Sequence, residues 1–232
     1  MVSYYRKHGE KMISLRSNVF KKTNVKCILC QSYGELFFEM PPKRYYQCGH
    51  CSAIFLAPEC CISKEEEKSR YQEHNNDVED PRYQKFVEPI VLEIEQRFSR
   101  KHKGLDFGAG TGPVIAKLLR EKRYSVELYD PFFCNSPEKL QNKYDFIICC
   151  EVIEHFRFPA KEFKLLKALL KPRGVLFCMT ELYSEKNDFG AWYYKNDPTH
   201  VFFYQRNTLE WIKSRFGFSA LKNKGRLVQF FA

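Results

Sequence analysis

The chain has 232 residues, of which 44% are hydrophobic and 16% aromatic, enough apolar side chains for one full α/β domain and a smaller module. This composition excludes an intrinsically disordered chain, and the lack of any uninterrupted apolar run of about 18 residues excludes a membrane-spanning helix. The formal net charge is +10 at pH 7.

Much of the positive charge lies in an N-terminal tail that we predict to span residues 1–23. Residues 1–26 contain seven Lys or Arg and one Glu. The segment lacks the apolar core of a signal peptide, so we expect a cytoplasmic protein. A basic tail suits contact with RNA or another anionic surface, and a solvated arm is the alternative interpretation.

Ten cysteines in a reducing compartment indicate metal ligands or small core residues rather than disulfides. Four of them form two C-x-x-C pairs separated by 17 residues, namely Cys27 with Cys30 and Cys48 with Cys51. This spacing is typical of one tetrahedral zinc ion, and four protein ligands leave no open position, which predicts a structural metal. We therefore predict a zinc ribbon over residues 24–62. Free cysteines on turns are the alternative, and His50 is an alternative ligand.

The main domain is predicted to follow a polar linker or lid at residues 63–82 and to span residues 83–232. Apolar residues recur at helical spacing first, and strand and helix patterns alternate after that. The predicted strands are 105–107, 125–130, 144–150 and 175–180, the predicted helices are 83–98, 113–122 and 159–170, and the segments 208–216 and 226–232 close the chain. This alternation predicts an α/β fold with a doubly wound, mostly parallel sheet and a site at the carboxyl ends of its strands.

A glycine-rich stretch, GLDFGAGTG at residues 104–112, lies between a predicted strand and a predicted helix. That order directs backbone N–H groups and a helix N-terminus towards a bound ligand, and glycine lets the ligand approach the main chain. The dinucleotide pattern G-x-G-x-x-G fails because its third position is Pro113, and no G-K-[ST] follows. The stretch therefore disfavours NAD and ATP as ligands.

The pattern D-x-G-x-G-x-G resembles the first motif of class I S-adenosylmethionine-dependent methyltransferases. The resemblance continues through Asp130, the segment YDFIICCEVIEHF and the segment LLKPRGVLFCMT, in the family's order. It implies a Rossmann-like methyltransferase fold with S-adenosylmethionine as cofactor. The cofactor-binding residues that it implies are Asp106, Gly108, Gly110, Thr111, Gly112, Asp130 and Glu151.

Within that resemblance, the glycines would pack against the methionine part of the cofactor and Asp106 would support the loop. Asp130 would accept hydrogen bonds from the ribose hydroxyls. Only 13 residues separate Asp130 from Tyr144, so the third strand is rudimentary and the family's polar adenine contact after that strand has no counterpart.

The segment CCEVIEHF follows a strand, where acceptor chemistry belongs. Glu151, Glu154 and His155 have i, i+3, i+4 spacing, so one helical turn would place them on one face, and Asp197 and His200 follow the fifth strand. The pattern Glu-x-x-Glu-His with a later His, here Glu151, Glu154, His155 and His200, resembles the magnesium-binding residues of ubiquinone-biosynthesis O-methyltransferases and small-RNA 3′-end methyltransferases, which implies a divalent cation such as magnesium. The residues leave two alternatives open: metal-free catalysis by Glu154, His155 and His200, or a purely structural capped turn.

A group of aromatic residues after the fifth strand is a candidate wall of the acceptor pocket, with core packing as the alternative. It comprises Trp192, Tyr193, Tyr194, Phe202, Phe203 and Tyr204. Together the motifs predict methyl transfer to a small metabolite, either at a hydroxyl or at a sugar or lipid-precursor carbon. An RNA methyltransferase that holds RNA with ribbon and tail is one alternative, and an inactive cofactor-binding interaction protein is another.

Overall fold

A computed structural model describes residues 25–73 and 76–232, so the predicted basic tail lies outside the described residues. The strands are β1 (Val25–Lys26), β2 (Tyr33–Met40), β3 (Lys43–Cys48), β4 (Ile54–Leu56), β5 (Lys103–Phe107), β6 (Ser125–Tyr129), β7 (Tyr144–Cys150), β8 (Leu170–Met179), β9 (Phe202–Phe203), β10 (Ala220–Lys224) and β11 (Leu227–Phe231). The α-helices are α1 (Lys64–Glu73), α2 (Pro81–Arg97), α3 (Val114–Glu121), α4 (Pro159–Leu169) and α5 (Arg206–Phe216). Within these ranges no helix has the length and apolar character needed to cross a membrane.

Six strands form the main sheet, in the order β10-β11-β8-β7-β5-β6. The four strands β6, β5, β7 and β8 are parallel, and β11 and β10 add to them antiparallel. Successive side chains of β7 point to opposite faces and both faces are buried, since Phe146 packs with α2 and α3 while Ile147 packs with α4 and α5. The predicted α/β fold with a doubly wound, mostly parallel sheet is confirmed.

Local sequence signals set the ends of the helices around this sheet. Asp80 caps α2 by accepting a hydrogen bond from the backbone N–H of Arg82, and Pro81 occupies the first turn. Pro89 lies inside α2 without ending it. At the other end of the domain, α5 stops at Gly217, whose φ of 71° is left-handed.

Strand β6 is the edge of the main sheet. After it, Asp130 pairs with Cys134 in an isolated bridge and the chain enters a short 3-10 helix at Pro137–Gln141. No further strand therefore adds to β6 within the part of the chain that the structure describes, which matches the short spacing read from the sequence.

The cysteine-containing segment forms a second sheet in the order β1-β2-β3-β4-β9. Its last strand comes from the main domain, because β9 pairs antiparallel with β4 through Ile54 opposite Phe203. The amide of Gln205 also donates to the carbonyl of Ser52 at 2.7 Å. One hydrophobic core runs through both parts of the molecule, so the predicted boundary at residue 62 is crossed by a strand pairing and a shared core.

Candidate active site

A cavity of about 1150 Å³ opens at the carboxyl ends of β5, β6 and β7. Its walls come from the glycine loop, the segments after β6 and β7, helix α1, the 3-10 helix Tyr193–Asn196 and the turn between β10 and β11. Sequence positions far apart in the chain therefore converge on one chamber, as expected for a parallel sheet.

The glycine loop needs its glycines for two different reasons. Gly108 and Gly110 have φ values of 79° and 60°, a left-handed region that favours glycine. A Cβ on Gly108 would lie 2.6 Å from Val152, whereas a Cβ on Gly110 would meet only Asn76, at 3.9 Å. Gly110 and Thr111 line the cavity, and the open space beside Gly110 is where a ligand can touch the main chain.

Two of the predicted cofactor residues lie behind the cavity rather than on its wall. A Cβ on Gly112 would lie 1.9 Å from the carbonyl oxygen of Asn76, so the linker backbone covers this glycine. Asp106 is buried beneath the loop, and burial raises the pKa of its carboxyl to about 7 against the opposing charge of Arg120. Neither Gly112 nor Asp106 lines the cavity, and Asp106 is placed to support the glycine loop from below.

Asp130 joins the glycine loop to the turn after β6. One carboxylate oxygen accepts a hydrogen bond from the Gly110 N–H at 2.9 Å, and the other accepts from Phe132 at 2.8 Å and from Phe133 at 3.0 Å. A carboxylate has about four acceptor positions, so Asp130 keeps capacity for one further donor while it lines the cavity.

The turn after β7 departs from the predicted helical turn. Glu151 has a φ of 51°, and its N–H continues the sheet by donating to the carbonyl of Met179 at 2.9 Å. A 3-10 helix then covers only Ile153–His155. The expected common helical face of Glu151, Glu154 and His155 is therefore wrong, because the left-handed residue turns the chain between the first of these residues and the other two.

Glu154 is completely buried and does not line the cavity, whereas its neighbours His155 and His200 do. The hydroxyl of Tyr194 donates to one of its carboxylate oxygens, and the other oxygen is buried without a hydrogen-bond partner among the described residues. Burial raises the pKa of this carboxyl to about 7. A buried carboxylate with one unpaired oxygen requires a proton or a nearby cation.

Two histidines near Glu154, His155 and His200, are each held in one tautomer by a backbone carbonyl. Nδ1 of His155 lies 3.0 Å from the carbonyl of Thr199, and Nδ1 of His200 lies 2.7 Å from the carbonyl of Tyr194. A carbonyl only accepts hydrogen bonds, so each Nδ1 carries the proton and each Nε2 keeps a lone pair. Burial lowers the pKa of both rings, that of His200 to about 3.

Glu154, His155 and His200 form a three-residue cluster whose possible ligand atoms all lie within 4.8 Å of one another. Glu151 is not in it. Its carboxylate instead pairs with Arg226 at 2.5 Å and accepts a hydrogen bond from Tyr194 at 3.2 Å. Burial and the charge of Glu154 raise the pKa of Glu151 to about 7, against the opposing effect of Arg226.

The aromatic group after β8 divides into two sets. Tyr193 and Tyr194 line the cavity. Four others, Trp192, Phe202, Phe203 and Tyr204, are buried in the core that joins the two sheets. Core packing, the alternative interpretation, therefore describes these four, since β9 belongs to the second sheet, and the pocket interpretation stays open for Tyr193 and Tyr194.

Helix α1 lies across the mouth of the cavity, within the predicted linker or lid. The ring of Tyr71 packs 5.3 Å from that of His155 and 5.8 Å from that of Phe132, measured between centroids. Arg70 pairs with Asp197 at 3.3 Å, so α1 is held to the segment that carries His200. Tyr71 lies in the predicted linker or lid, whereas no sequence motif marked Glu181 or Arg226, since each reaches the site only through tertiary contacts.

The four predicted zinc ligands meet in one cluster. The Sγ atoms of Cys27 and Cys51 are 3.6 Å apart, those of Cys30 and Cys48 are 3.4 Å apart, and all four lie within 4.8 Å. A tetrahedron with Zn–S bonds of about 2.3 Å has sulfur atoms about 3.8 Å apart. The thiols therefore lie at the separation that a tetrahedral zinc ion needs.

The two cysteine turns repeat one backbone geometry. The N–H of Gln31 donates to the carbonyl of Cys27 at 2.9 Å, and the N–H of Ser52 donates to that of Cys48 at the same distance. Gln31 and Ser52 have φ values of 64° and 59°. The same turn built twice points both cysteine pairs at one centre.

A family model described as a methyltransferase domain matches residues 79–223, which include the glycine loop, the turn after β7 and His200. The chain belongs to this methyltransferase family. The match confirms the predicted family and identifies the chain as a methyltransferase. A comparison with curated proteins gives no significant match.

Solved structures of other methyltransferases resemble this one in fold. An O-methyltransferase family protein from Burkholderia thailandensis is 14% identical, with a TM-score of 0.48, and the match covers 71% of this chain and 61% of that one. A putative O-methyltransferase from Nostoc punctiforme is 13% identical, with a TM-score of 0.45 and coverages of 63% and 55%. The magnesium protoporphyrin IX methyltransferase from Synechocystis, with bound SAH, is 15% identical, with a TM-score of 0.44 and coverages of 73% and 94%. At these identities the likeness concerns the fold alone.

Proposed function

We propose that the protein transfers a methyl group from S-adenosylmethionine to a small-molecule acceptor. The observation that carries this proposal is the cavity, which has the glycine loop and Asp130 at one end and His155 and His200 at the other, with Glu154 buried beside the two histidines. A volume of about 1150 Å³ exceeds what one ligand needs and suits a cofactor beside a small acceptor. A hydroxyl, or a sugar or lipid-precursor carbon, is the acceptor site that we propose.

The residues at the first end fit the cofactor. The left-handed backbone and open space at Gly110 let a ligand contact the main chain, and Asp130 retains one acceptor position for a ribose hydroxyl. The sulfonium of the cofactor would supply the transferable methyl group. The chain's own contribution is to hold that group in line with the acceptor and to accept or mask the acceptor's proton.

We further propose that Glu154, His155 and His200 bind a divalent cation. Three observations support the fit: the orphaned oxygen of Glu154, the fixed Nδ1 hydrogen bonds of both histidines, and the short distances within the cluster. Ligating histidines usually donate their other ring N–H to a carbonyl, as both do here. Two imidazoles favour a first-row transition-metal ion such as Mn²⁺ over magnesium, which prefers oxygen ligands.

A cation at that point would orient an acceptor oxygen and lower its pKa. Metal-free catalysis is the competing version, in which the free Nε2 of His200 accepts or orients the acceptor's proton. Both versions use the same three residues, and they differ in their response to chelation.

For the cysteine cluster we propose one structural zinc ion held by Cys27, Cys30, Cys48 and Cys51. The sulfur separations and the repeated turns support it. With four protein ligands the ion would have no open position for substrate, so its contribution is to folding.

Cofactor binding is the first test. Calorimetry should show binding of S-adenosylmethionine and none of NAD, and Asp130→Ala should weaken binding by about 1–3 kcal/mol because buried donors lose a charged acceptor. Asp188→Ala, an exposed carboxylate outside the cavity, is the matched control. Equal affinity for wild type and Asp130→Ala would contradict the assigned cofactor end.

The acceptor class is the second test. Methyl-tritiated cofactor incubated with the protein and a fractionated cell extract should place label in the small-molecule fraction. Label in RNA would favour the alternative in which RNA is the acceptor, and cofactor binding with no label in any fraction would favour an inactive binding protein.

A further inference from the structure

Arg226 enters the cavity from the turn between β10 and β11, beyond the residues that the family model matches. It follows Gly225, whose φ of 59° forms the tight turn. The carbonyl of Arg226 accepts a hydrogen bond from the N–H of Thr180 at 3.1 Å, which extends the ladder between β8 and β11 by one step. The backbone of this residue is therefore fixed at the carboxyl end of the sheet.

The guanidinium of Arg226 contacts four separate parts of the chain. One terminal nitrogen lies 2.5 Å from Glu151, after β7, and the other lies 2.6 Å from Glu181, after β8. The guanidinium also sits 5.2 Å from the ring centroid of Tyr194 and 5.5 Å from that of Phe86. Two ion pairs and two cation–π contacts therefore hold the guanidinium at a partly desolvated position.

The contacts of Arg226 constrain the positions of Glu151 and Tyr194. A left-handed φ on a residue such as Glu151 costs roughly 1 kcal/mol and persists where neighbouring contacts fix it. The hydroxyl of Tyr194 contacts the carboxylates of both Glu151 and Glu154, although a phenol has only one proton to donate. A cation beside Glu151 offsets the repulsion that these two carboxylates would otherwise have.

We propose that Arg226 is a positioning residue of the methyltransferase, which acts through Glu151 and Tyr194 to fix the acceptor end of the cavity. Both terminal nitrogens bind carboxylates, so Arg226 is held between Glu151 and Glu181 and shapes the chamber. Tyr194 transmits its effect, because the backbone carbonyl of Tyr194 fixes the ring of His200. The proposal rests on the proposed methyl transfer, and its test includes a readout that does not require turnover.

The test compares Arg226→Ala with Arg173→Ala, which removes an exposed arginine of β8 that is not in the cavity. Label transfer from methyl-tritiated cofactor to the small-molecule fraction of a cell extract should fall about 10²-fold in Arg226→Ala, since misplacement by about 1 Å costs that much. Affinity for S-adenosylhomocysteine, measured by calorimetry, should stay within about threefold of wild type because the glycine loop is untouched. Arg173→Ala should behave as wild type in both assays.

Two further measurements separate positioning from loss of structure. The side chain of Arg226 is partly exposed to the cavity, so added guanidinium should enter the space left in Arg226→Ala and restore turnover, while tetramethylammonium should not. The NMR resonance of the His200 ring should move in Arg226→Ala and return with guanidinium, and that of His102, which is half-buried and outside the cavity, should stay fixed. Combining Arg226→Ala with Glu151→Gln should cost no more than the more damaging single change.

The outcomes are distinguishable. Wild-type turnover in Arg226→Ala, an unmoved His200 resonance, or no recovery with guanidinium in a folded variant would each overturn the positioning role. A wild-type protein that binds S-adenosylhomocysteine and methylates nothing would overturn the proposed function instead, and the His200 resonance would still decide whether Arg226 positions the site.

Discussion

Glu154 is a fully buried carboxyl: the phenol of Tyr194 donates to one oxygen, and the other has no hydrogen-bond partner among the described residues. Its cluster neighbours His155 and His200 have pKa values lowered by burial and keep a lone pair on Nε2. Without a cation, burial keeps a proton on Glu154 well above the ordinary pKa of a glutamate. With a cation, the same carboxyl becomes an anionic ligand. The chemistry of the acceptor end thus depends on which positive species Glu154 holds.

The pH dependence of stability should report this proton in chelator-treated protein. Because the folded pKa of Glu154 is raised to about 7, its contribution to the free energy of unfolding is complete below the unfolded pKa of about 4.3 and is lost as the pH rises towards 7. Relative to Glu154→Gln, the wild type should therefore lose on the order of 2–3 kcal/mol between pH 4.5 and 7.5. Urea unfolding of both proteins across this range measures the difference, and parallel curves would contradict a buried protonated Glu154.

His200 separates the metal-dependent and metal-free versions of the reaction. If the cluster binds a divalent cation, removing that ion without stripping the cysteine cluster should abolish turnover and leave cofactor affinity intact, as should His200→Ala. If His200 acts without metal, chelation should leave the rate unchanged while His200→Ala still costs about 10²-fold or more. Normal turnover in His200→Ala, alongside His102→Ala as a control outside the cavity, would contradict both versions.

Helix α1 contacts the rest of the site through ion pairs and through the ring of Tyr71. Glu67 is the one residue of the helix that is buried, and it pairs with Arg157 at 2.9 Å, while Arg70 pairs with Asp197. The Arg70–Asp197 pair is partly exposed, so it contributes about 0–1 kcal/mol. Losing that pair should let α1 separate from the site more readily while the sheet beneath it stays folded.

Arg70→Ala should therefore speed the exchange of S-adenosylhomocysteine by a few-fold, since about 1 kcal/mol corresponds to a factor of about five. Stopped-flow binding measures the dissociation rate, and the melting temperature should change little. Arg97→Ala, which removes a surface pair with Glu93 on α2, is the matched control. An unchanged dissociation rate would show that α1 does not limit exchange.

The elements of the main sheet could be predicted from sequence because their signals are local. The apolar run of β7, the glycine loop before α3 and the proline at the start of α4 each act within a few residues. The left-handed Glu151 could not be predicted, since its conformation depends on Met179 and Arg226 from other strands. The two-residue strand β9 was missed for the same reason: only its pairing with β4 makes it a strand.

At the scale of the whole molecule, the cysteine cluster and the acceptor end are linked through one backbone position. The N–H of Leu56 in β4 donates to the carbonyl of Val201 at 2.9 Å, and the N–H of Val201 donates to the carbonyl of Glu154 at 3.0 Å. Val201 follows His200 directly and leads into β9. The second sheet is therefore part of the scaffold that holds the histidine.

Purified protein should contain about one zinc ion per chain, and Cys48→Ser should lower the free energy of unfolding because metal binding contributes to folding. Cys60→Ser, whose thiol lies outside the cluster, should have little effect. Metal analysis after metal-replete expression measures the first expectation and urea unfolding the second. Less than a tenth of an equivalent of zinc would contradict the proposed ribbon.

The pairing of β4 with β9 also makes the acceptor end depend on the fold of the second sheet. The segment that carries His200 leads into β9, and its strand partner β4 follows the second cysteine turn in the chain. If the proposed zinc ion is needed to form those turns, a cell short of zinc during synthesis would accumulate chains that lack a finished acceptor wall. For such a protein the fraction of active molecules would follow the zinc supply at the time of folding and not the later concentration of cofactor.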